Sequence, residues 1–292
     1  MRGINFAIGP SCFVRCRGCY NFFGNSYRRG NLVTAAELLD FGSAAKGIGV
    51  KKATLSGGDP LTHPQFLPIL RGLANLGLII KVDTVGTSIL GVAAKVFYGQ
   101  GEVAQVSVLE IARYVSVVGL PLDGASNTTI QRFRVGRPDL LRETCEAVSA
   151  LKAANVNVCI NTVVHQGNVD ELDELYEIVV ASGADQWQLF EFQPTGPLAS
   201  RNGDSLRLAP GQFDCMVRRF ATTRGARPRI EFKSRSDRKH LYFMVDDTGL
   251  AWLPGAAGLD RTVLGHITRD RAKVMTALSG HLHEVLPRLA VG

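Results

Sequence analysis

The chain has 292 residues, with 46% hydrophobic and 20% charged side chains and a net charge of +7. That length suits one large α/β domain with room for a small appendage. No run of about 18 apolar residues is present, so no membrane span is expected. The basic residues are dispersed except in RGARPRIEFKSRSDRK, which reads as a solvated basic face, so no nucleic-acid partner is expected. The opening MRGINFAIGPSCF lacks a signal-peptide core and a small-residue cleavage site, which leads to a cytoplasmic expectation. There, six cysteines are thiols or ligands before they are disulfides.

In chain order, Gly3–Gly9 reads as a strand running into a cysteine-bearing loop. Thr34–Lys46 has helical spacing, with Thr34 as N-cap and Glu37 completing a capping box. Lys51–Leu55 is a strand, Pro64–Asn75 a helix and Leu78–Asp83 a strand; Gly86–Gln105, rich in small residues, interrupts the cycle. It resumes with strands at Tyr114–Leu122, Val156–Val163 and Gln186–Phe192, and helices at Asp139–Asn155 and Val169–Ser182. Six βα units with runs such as LIIKV and VSVVGL predict a parallel sheet buried on both faces, in a partial six-stranded (βα) barrel.

After residue 196 the pattern changes. Pro197–Leu208 reads as loop, Pro210–Thr222 as a helix, Leu241–Val245 and Leu250–Leu253 as a hairpin, and Arg269–Ala290 as a final helix. The expected organisation is a barrel over residues 1–196 and a C-terminal cap over 197–292.

Cys12, Cys16 and Cys19 have the spacing C-x3-C-x2-C and are followed at once by Tyr20. Three thiolates on one short loop can each bind one iron of a cubane and leave the fourth iron open. Gly18 and Gly24 permit a tight path around such a cluster. A structural zinc site would need a fourth ligand, and no second Cys/His pair with suitable spacing exists.

CFVRCRGCY resembles the cysteine signature of the radical S-adenosylmethionine (SAM) superfamily. The resemblance implies a 4Fe–4S cluster whose open iron is chelated by SAM, and reductive cleavage of SAM to methionine and a 5′-deoxyadenosyl radical. Ser56-Gly57-Gly58-Asp59-Pro60 resembles the GGEP motif that contacts the SAM amino group, with Asp for Glu. Asp83 and Thr84 stand where relatives carry an N-G-T-like segment. Leu120–Gly124 resembles an S-x-D-G segment, and Phe133–Gly136 an F-R-x-G loop. Asn161 and Thr162 are implied to bind SAM ribose or carboxylate, and Glu191 and Gln193 to lie near the adenine. Polar strand ends of this kind face the site side of a barrel. The resemblance covers residues 3–195 and implies flavodoxin or ferredoxin as reductant.

Within the superfamily, the phrasing GPSCFVRCRGCYNFFG…SGGDP…DTVGT…LPLDG…FEFQPTGP is most similar to aminoglycoside-pathway enzymes of the neomycin C epimerase type. An epimerase needs a hydrogen donor opposite SAM. The thiols of Cys159 and Cys215 are candidates, and Ala251, in the hairpin expected to roof the barrel, has the size of a truncated cysteine. Cys145 reads as a core residue. Asp123, Glu191, Asp246 and Asp247 are candidate contacts for a cationic sugar, although Asp246 and Asp247 also suit simple turn chemistry. The alternatives are a viperin-like reaction on a nucleotide, with phosphate held by the segment Arg227–Lys239, a sugar dehydration, and a non-enzymatic redox sensor.

Overall fold

The computed structural model describes residues 3–21, 32–92, 94–98, 105–222, 228–255 and 261–289. Gly24, Arg227, Ala290 and part of the 86–105 interruption lie outside the described residues. The strands are β1 (Gly3–Ala7), β2 (Arg15–Cys16), β3 (Lys52–Ser56), β4 (Ile79–Asp83), β5 (Val117–Pro121), β6 (Arg134–Val135), β7 (Asn157–Val164), β8 (Gln186–Glu191), β9 (Arg229–Lys233), β10 (Phe243–Val245), β11 (Leu250–Pro254) and β12 (Arg261–His266). Ten of them form one sheet in the order β12-β11-β10-β1-β3-β4-β5-β7-β8-β9, while β2 and β6 pair with each other. The six expected barrel strands β1, β3, β4, β5, β7 and β8 are parallel neighbours, with helices in the crossovers.

Local chemistry accounts for the elements. The helix Ala35–Gly47 starts at the expected capping box: the Thr34 hydroxyl accepts from Glu37 N at 3.2 Å, and Glu37 accepts from Thr34 N at 2.8 Å. Such a cap contributes about 1 kcal/mol. Strand register sorts the side chains into two faces. Ile4, Ala53 and Ile80 form one row facing the helices, and Asn5, Thr54 and Lys81 form the next row, facing inward. On the outer face Phe6 meets Phe41 edge-on at 6.4 Å, and Trp187 meets Phe220 at 5.5 Å. Those contacts anchor the helices Ala35–Gly47 and Gln212–Ala221 to the sheet.

Four readings change. After the 86–105 interruption comes a short crossover helix, Val108–Tyr114, capped by the Ser107 hydroxyl, so the βα cycle continues and Tyr114, expected in the next strand, ends this helix instead. The residues after 196 supply strands as well as helices. β9 extends the sheet beyond β8, and β10 runs parallel beside β1, followed by antiparallel β11 and β12. β9 lies inside the basic stretch that reads as a solvated face; its charges are balanced by Glu231, which hid its strand character. Pro197–Leu208, expected as loop, folds into two short helical turns. Among the described residues no helix is long and apolar enough to cross a membrane.

Candidate active site

The cluster loop leaves the C-terminal end of β1 and is fixed on three sides. Cys12 pairs through its backbone with Phe97. Cys16 lies in β2, opposite Arg134 of β6, and Cys19 N donates to Cys16 O at 3.2 Å. The Gly-Gly-Asp turn after β3 packs against the same loop: Gly58 N donates to Gly9 O at 2.7 Å, and Asp59 N to Ser11 O at 2.6 Å. A Cβ on Gly58 would stand 2.1 Å from Ser11 O, so only glycine admits this approach. At Gly18 a Cβ would meet Phe133 and Phe192 at 2.4 and 2.8 Å. Asn21 Nδ2 closes the loop by donating to Gly57 O at 2.6 Å.

This arrangement fits an iron–sulfur cluster. Burial pushes the Cys12, Cys16 and Cys19 thiols up, Cys19 to about 12, and the three sulfurs feel one another. They therefore stand as thiols until metal displaces their protons, and loading releases those protons. Thiolates that bind different irons of a cubane need not converge on one point. Among the described residues no three Cys, His, Asp or Glu side chains do.

The structure sorts the remaining sequence-predicted residues into two sets. Several hold the frame. The Asp59 carboxylate, fully buried, accepts from the Thr84 hydroxyl, Val85 N and Leu61 N, so it locks the β3 and β4 ends together. Burial pushes it up to about 6. Thr84 is thereby committed to Asp59. Asp123, expected to face substrate, is buried behind the cluster loop, ion-paired to Arg134 and accepting from Val163 N at 2.7 Å. Thr162 lies on the outer face, where it donates to Leu122 O at 2.6 Å and accepts from Trp187 Nε1. Asp246 caps its own turn by accepting from Thr248 and Leu250 N–H. Asp247 is buried, with Oδ2 lacking a partner among the described residues.

The hydrogen-donor candidates separate sharply. Ala251 pairs with Val245, which shares the row of Phe6 on the helix-facing side. It is fully buried in the apolar core, so the residue facing inward from that hairpin is Trp252, not Ala251. Cys215 is exposed on the helix Gln212–Ala221, away from the packed face of Phe213, Met216 and Phe220. Cys159 faces the barrel interior in the row of Asp83 and Gly119, with its thiol 3.4 Å from Asn161 Oδ1. Burial pushes that thiol up to about 11.

The interior is polar. Lys81 Nζ and Asp83 Oδ1 are 3.0 Å apart, and Asn161 Nδ2 donates to the same oxygen at 2.9 Å. Gly119 makes room for that junction, since its Cβ would lie 1.9 Å from Asp83 Oδ1. On the far wall Glu231 accepts from Gln188 at 2.9 Å and pairs with Lys233 at 3.0 Å. Glu191 holds Arg235 through Nε at 2.9 Å, and its carbonyl accepts from Arg238. Gln193 donates to Gly255 O at 2.8 Å. Tyr20 is 39% exposed beside Ser56 at the mouth. Lys81, Gln188 and Glu231 escaped sequence reading. Lys81 had left a signal, a lysine inside an otherwise apolar buried strand.

A cysteine loop and a glycine-rich turn meeting at the C-terminal rim of a parallel α/β sheet define an iron–sulfur, SAM-binding class of protein. The Radical SAM superfamily model matches residues 6–179, and the chain belongs to that family, whose cofactors are a 4Fe–4S cluster and SAM. Among curated proteins the chain is 26% identical over 219 residues to the AdoMet-dependent heme synthase of Methanosarcina barkeri, covering 75% of this chain and 57% of that protein. It is 28% identical over 198 residues to the GTP 3′,8-cyclase of Erythrobacter litoralis, covering 66% and 54%. The chain thus spans about half the length of the curated relatives it matches. Among solved structures, Streptococcus suis SuiB bound to S-adenosylmethionine shares the fold, with a TM-score of 0.65 at 14% identity over 90% of this chain and 63% of that one.

Proposed function

We propose that this chain is a radical SAM epimerase acting on an amino sugar of the aminoglycoside class. The observation that carries the reading is the polar barrel interior: Asp83 and Glu231, although paired with Lys81 and Lys233, stay 33% and 23% exposed, and with Asn161 and Gln188 they present carboxylate and amide groups to a cationic, polyhydroxylated ligand. When bound, the cluster and SAM supply the hydrogen-abstracting 5′-deoxyadenosyl radical. Cys12, Cys16 and Cys19 would hold the cluster, and the glycine-rich turn at Gly57 and Gly58 would offer backbone to SAM.

Cys159 is then the donor that returns hydrogen to the opposite face of the sugar carbon. Its burial keeps it protonated near neutral pH, so the S–H bond is available. Donation leaves a sulfur radical, which one electron from a flavodoxin- or ferredoxin-type reductant and one proton from solvent would restore.

The test is an anaerobic turnover of reconstituted protein with SAM, dithionite and neomycin C in deuterated water. One deuterium at an inverted carbon, with 5′-deoxyadenosine formed, is expected. Cys159→Ser should still form 5′-deoxyadenosine but give no epimer. 5′-Deoxyadenosine with unchanged sugar would remove the substrate and keep the radical chemistry.

A second reading, a nucleotide substrate, draws on the likeness to a GTP cyclase and on Lys81 and Lys233 in the interior. It is weakened by the pairing of Lys233 and Arg229 with Glu231, and of Arg235 with Glu191. Competitive inhibition by a nucleoside triphosphate, with no effect of the sugar, would favour it.

A further inference from the structure

Among the described residues, Arg134 is the guanidinium that the structure directs at a cluster cysteine. It sits in β6, directly opposite Cys16 across a two-residue antiparallel pair, and its Nη1 donates to Cys16 Sγ at 3.2 Å. Its Nε donates to Asp123, and its plane lies over the Phe133 ring at 5.4 Å. The fork is therefore held from three directions. Asp123 is in turn fixed by Val163 N at 2.7 Å, while Asn168 Nδ2 donates to its carbonyl at 2.8 Å. The Arg134 side chain is 14% exposed and that of Asp123 is wholly buried, so water screens neither charge well.

A cluster gains one negative charge when it is reduced. A cation that donates a hydrogen bond to a ligand sulfur stabilises the reduced state more than the oxidised one, and hydrogen bonds to the sulfurs are among the groups that set cluster potentials. A carboxylate paired to that cation works in the opposite direction. We propose that Arg134 raises the reduction potential of the cluster held by Cys12, Cys16 and Cys19, and that Asp123 moderates the effect by sharing its charge. This rests on the cluster assignment above. It gives Arg134 and Asp123 positioning and tuning roles, since neither reaches the barrel interior.

The experiment is an EPR-monitored redox titration of the reconstituted full chain without SAM, with iron and sulfide counted first. Arg134→Gln should move the midpoint to a more negative potential by at least about 59 mV, a tenfold loss in the reduced-to-oxidised ratio for one electron. Asp123→Asn should move it the other way, and Arg134→Lys should fall between wild type and Arg134→Gln. Opposite signs for the two single variants would not arise from a loop merely loosened. Unchanged potentials at full iron content would overturn the proposal, as would a shift of both variants in the same direction. If Arg134→Gln does not hold iron, Asp123→Asn and Arg134→Lys decide, and wild-type potentials in both would overturn it. A wild-type chain that takes up no cluster would overturn the cluster assignment first, and this inference with it.

Discussion

Around the cluster loop, Asp59, Asp123, Arg134 and Asn21 commit their side chains to backbone, to Thr84, to one another and to Cys16, which leaves a tightly bonded wall. In the barrel interior the pairing is looser: the Asp83 side chain is 33% exposed and that of Glu231 23%, against none for Asp123. The wall holds a fixed shape for a prosthetic group that is always the same. The interior keeps polar atoms available to a ligand that comes and goes. Satisfied buried networks make structure rigid, and partly open ones supply recognition.

That contrast can be broken first at Gly58. In Gly58→Ala the new methyl would collide with Ser11 O, and forced packing of this kind costs about 1–3 kcal/mol or more. The expected outcome is a chain that retains little iron after reconstitution, read by iron content and by the denaturation midpoint.

The wall can next be probed through His165, which stacks on Phe133 at 5.1 Å. Burial lowers His165 to about 4, from an ordinary value near 6.5. Between those values the unfolded chain binds a proton that the folded chain does not. Stability is therefore complete above about pH 6.5 and falls as the pH drops, by about 2 kcal/mol from pH 7 to pH 5. Urea unfolding at the two pH values should show that loss in the wild type and a smaller one in His165→Gln.

In the interior, Asp83→Ala leaves the buried Lys81 amine and the Asn161 amide without their shared acceptor. A cost of about 2 kcal/mol is expected. Iron content and cluster spectra should stay at wild-type levels, which sharpens the division between wall and interior. The smallest effect belongs to Ala251→Cys. Because Ala251 faces the helices, the added sulfur should leave product formation unchanged and cost about 1 kcal/mol, the low end for adding one atom to a packed core. Product formed only in that variant would refute its placement.

The barrel strands were legible in the sequence because doubly buried strands are continuous apolar runs, and the first helix because its capping box is a local signal. The cysteine loop was legible through its spacing alone. Which way a strand-end side chain points depends on register across neighbouring strands, and this is why Thr162 and Ala251 face the helices while Asn161 faces inward. Asp59 and Asp123 look like ligand-binding acids in one dimension. Their partners, Thr84 and Arg134, lie 25 and 11 positions away, and only the folded chain brings them together. β9 stayed hidden because its alternating charges mimic a solvated surface, although they are paired within the sheet.

The parallel pairing of β10 with β1 has a consequence during synthesis. Ile4 and Phe243 are register partners, so one edge of the first strand stays unpaired until well after all six barrel strands have been translated. An apolar strand edge left open that long is a template for pairing with other chains. Ribosome-bound intermediates that stop short of residue 243 should therefore depend on a chaperone to stay in solution, even where the six barrel strands are already complete.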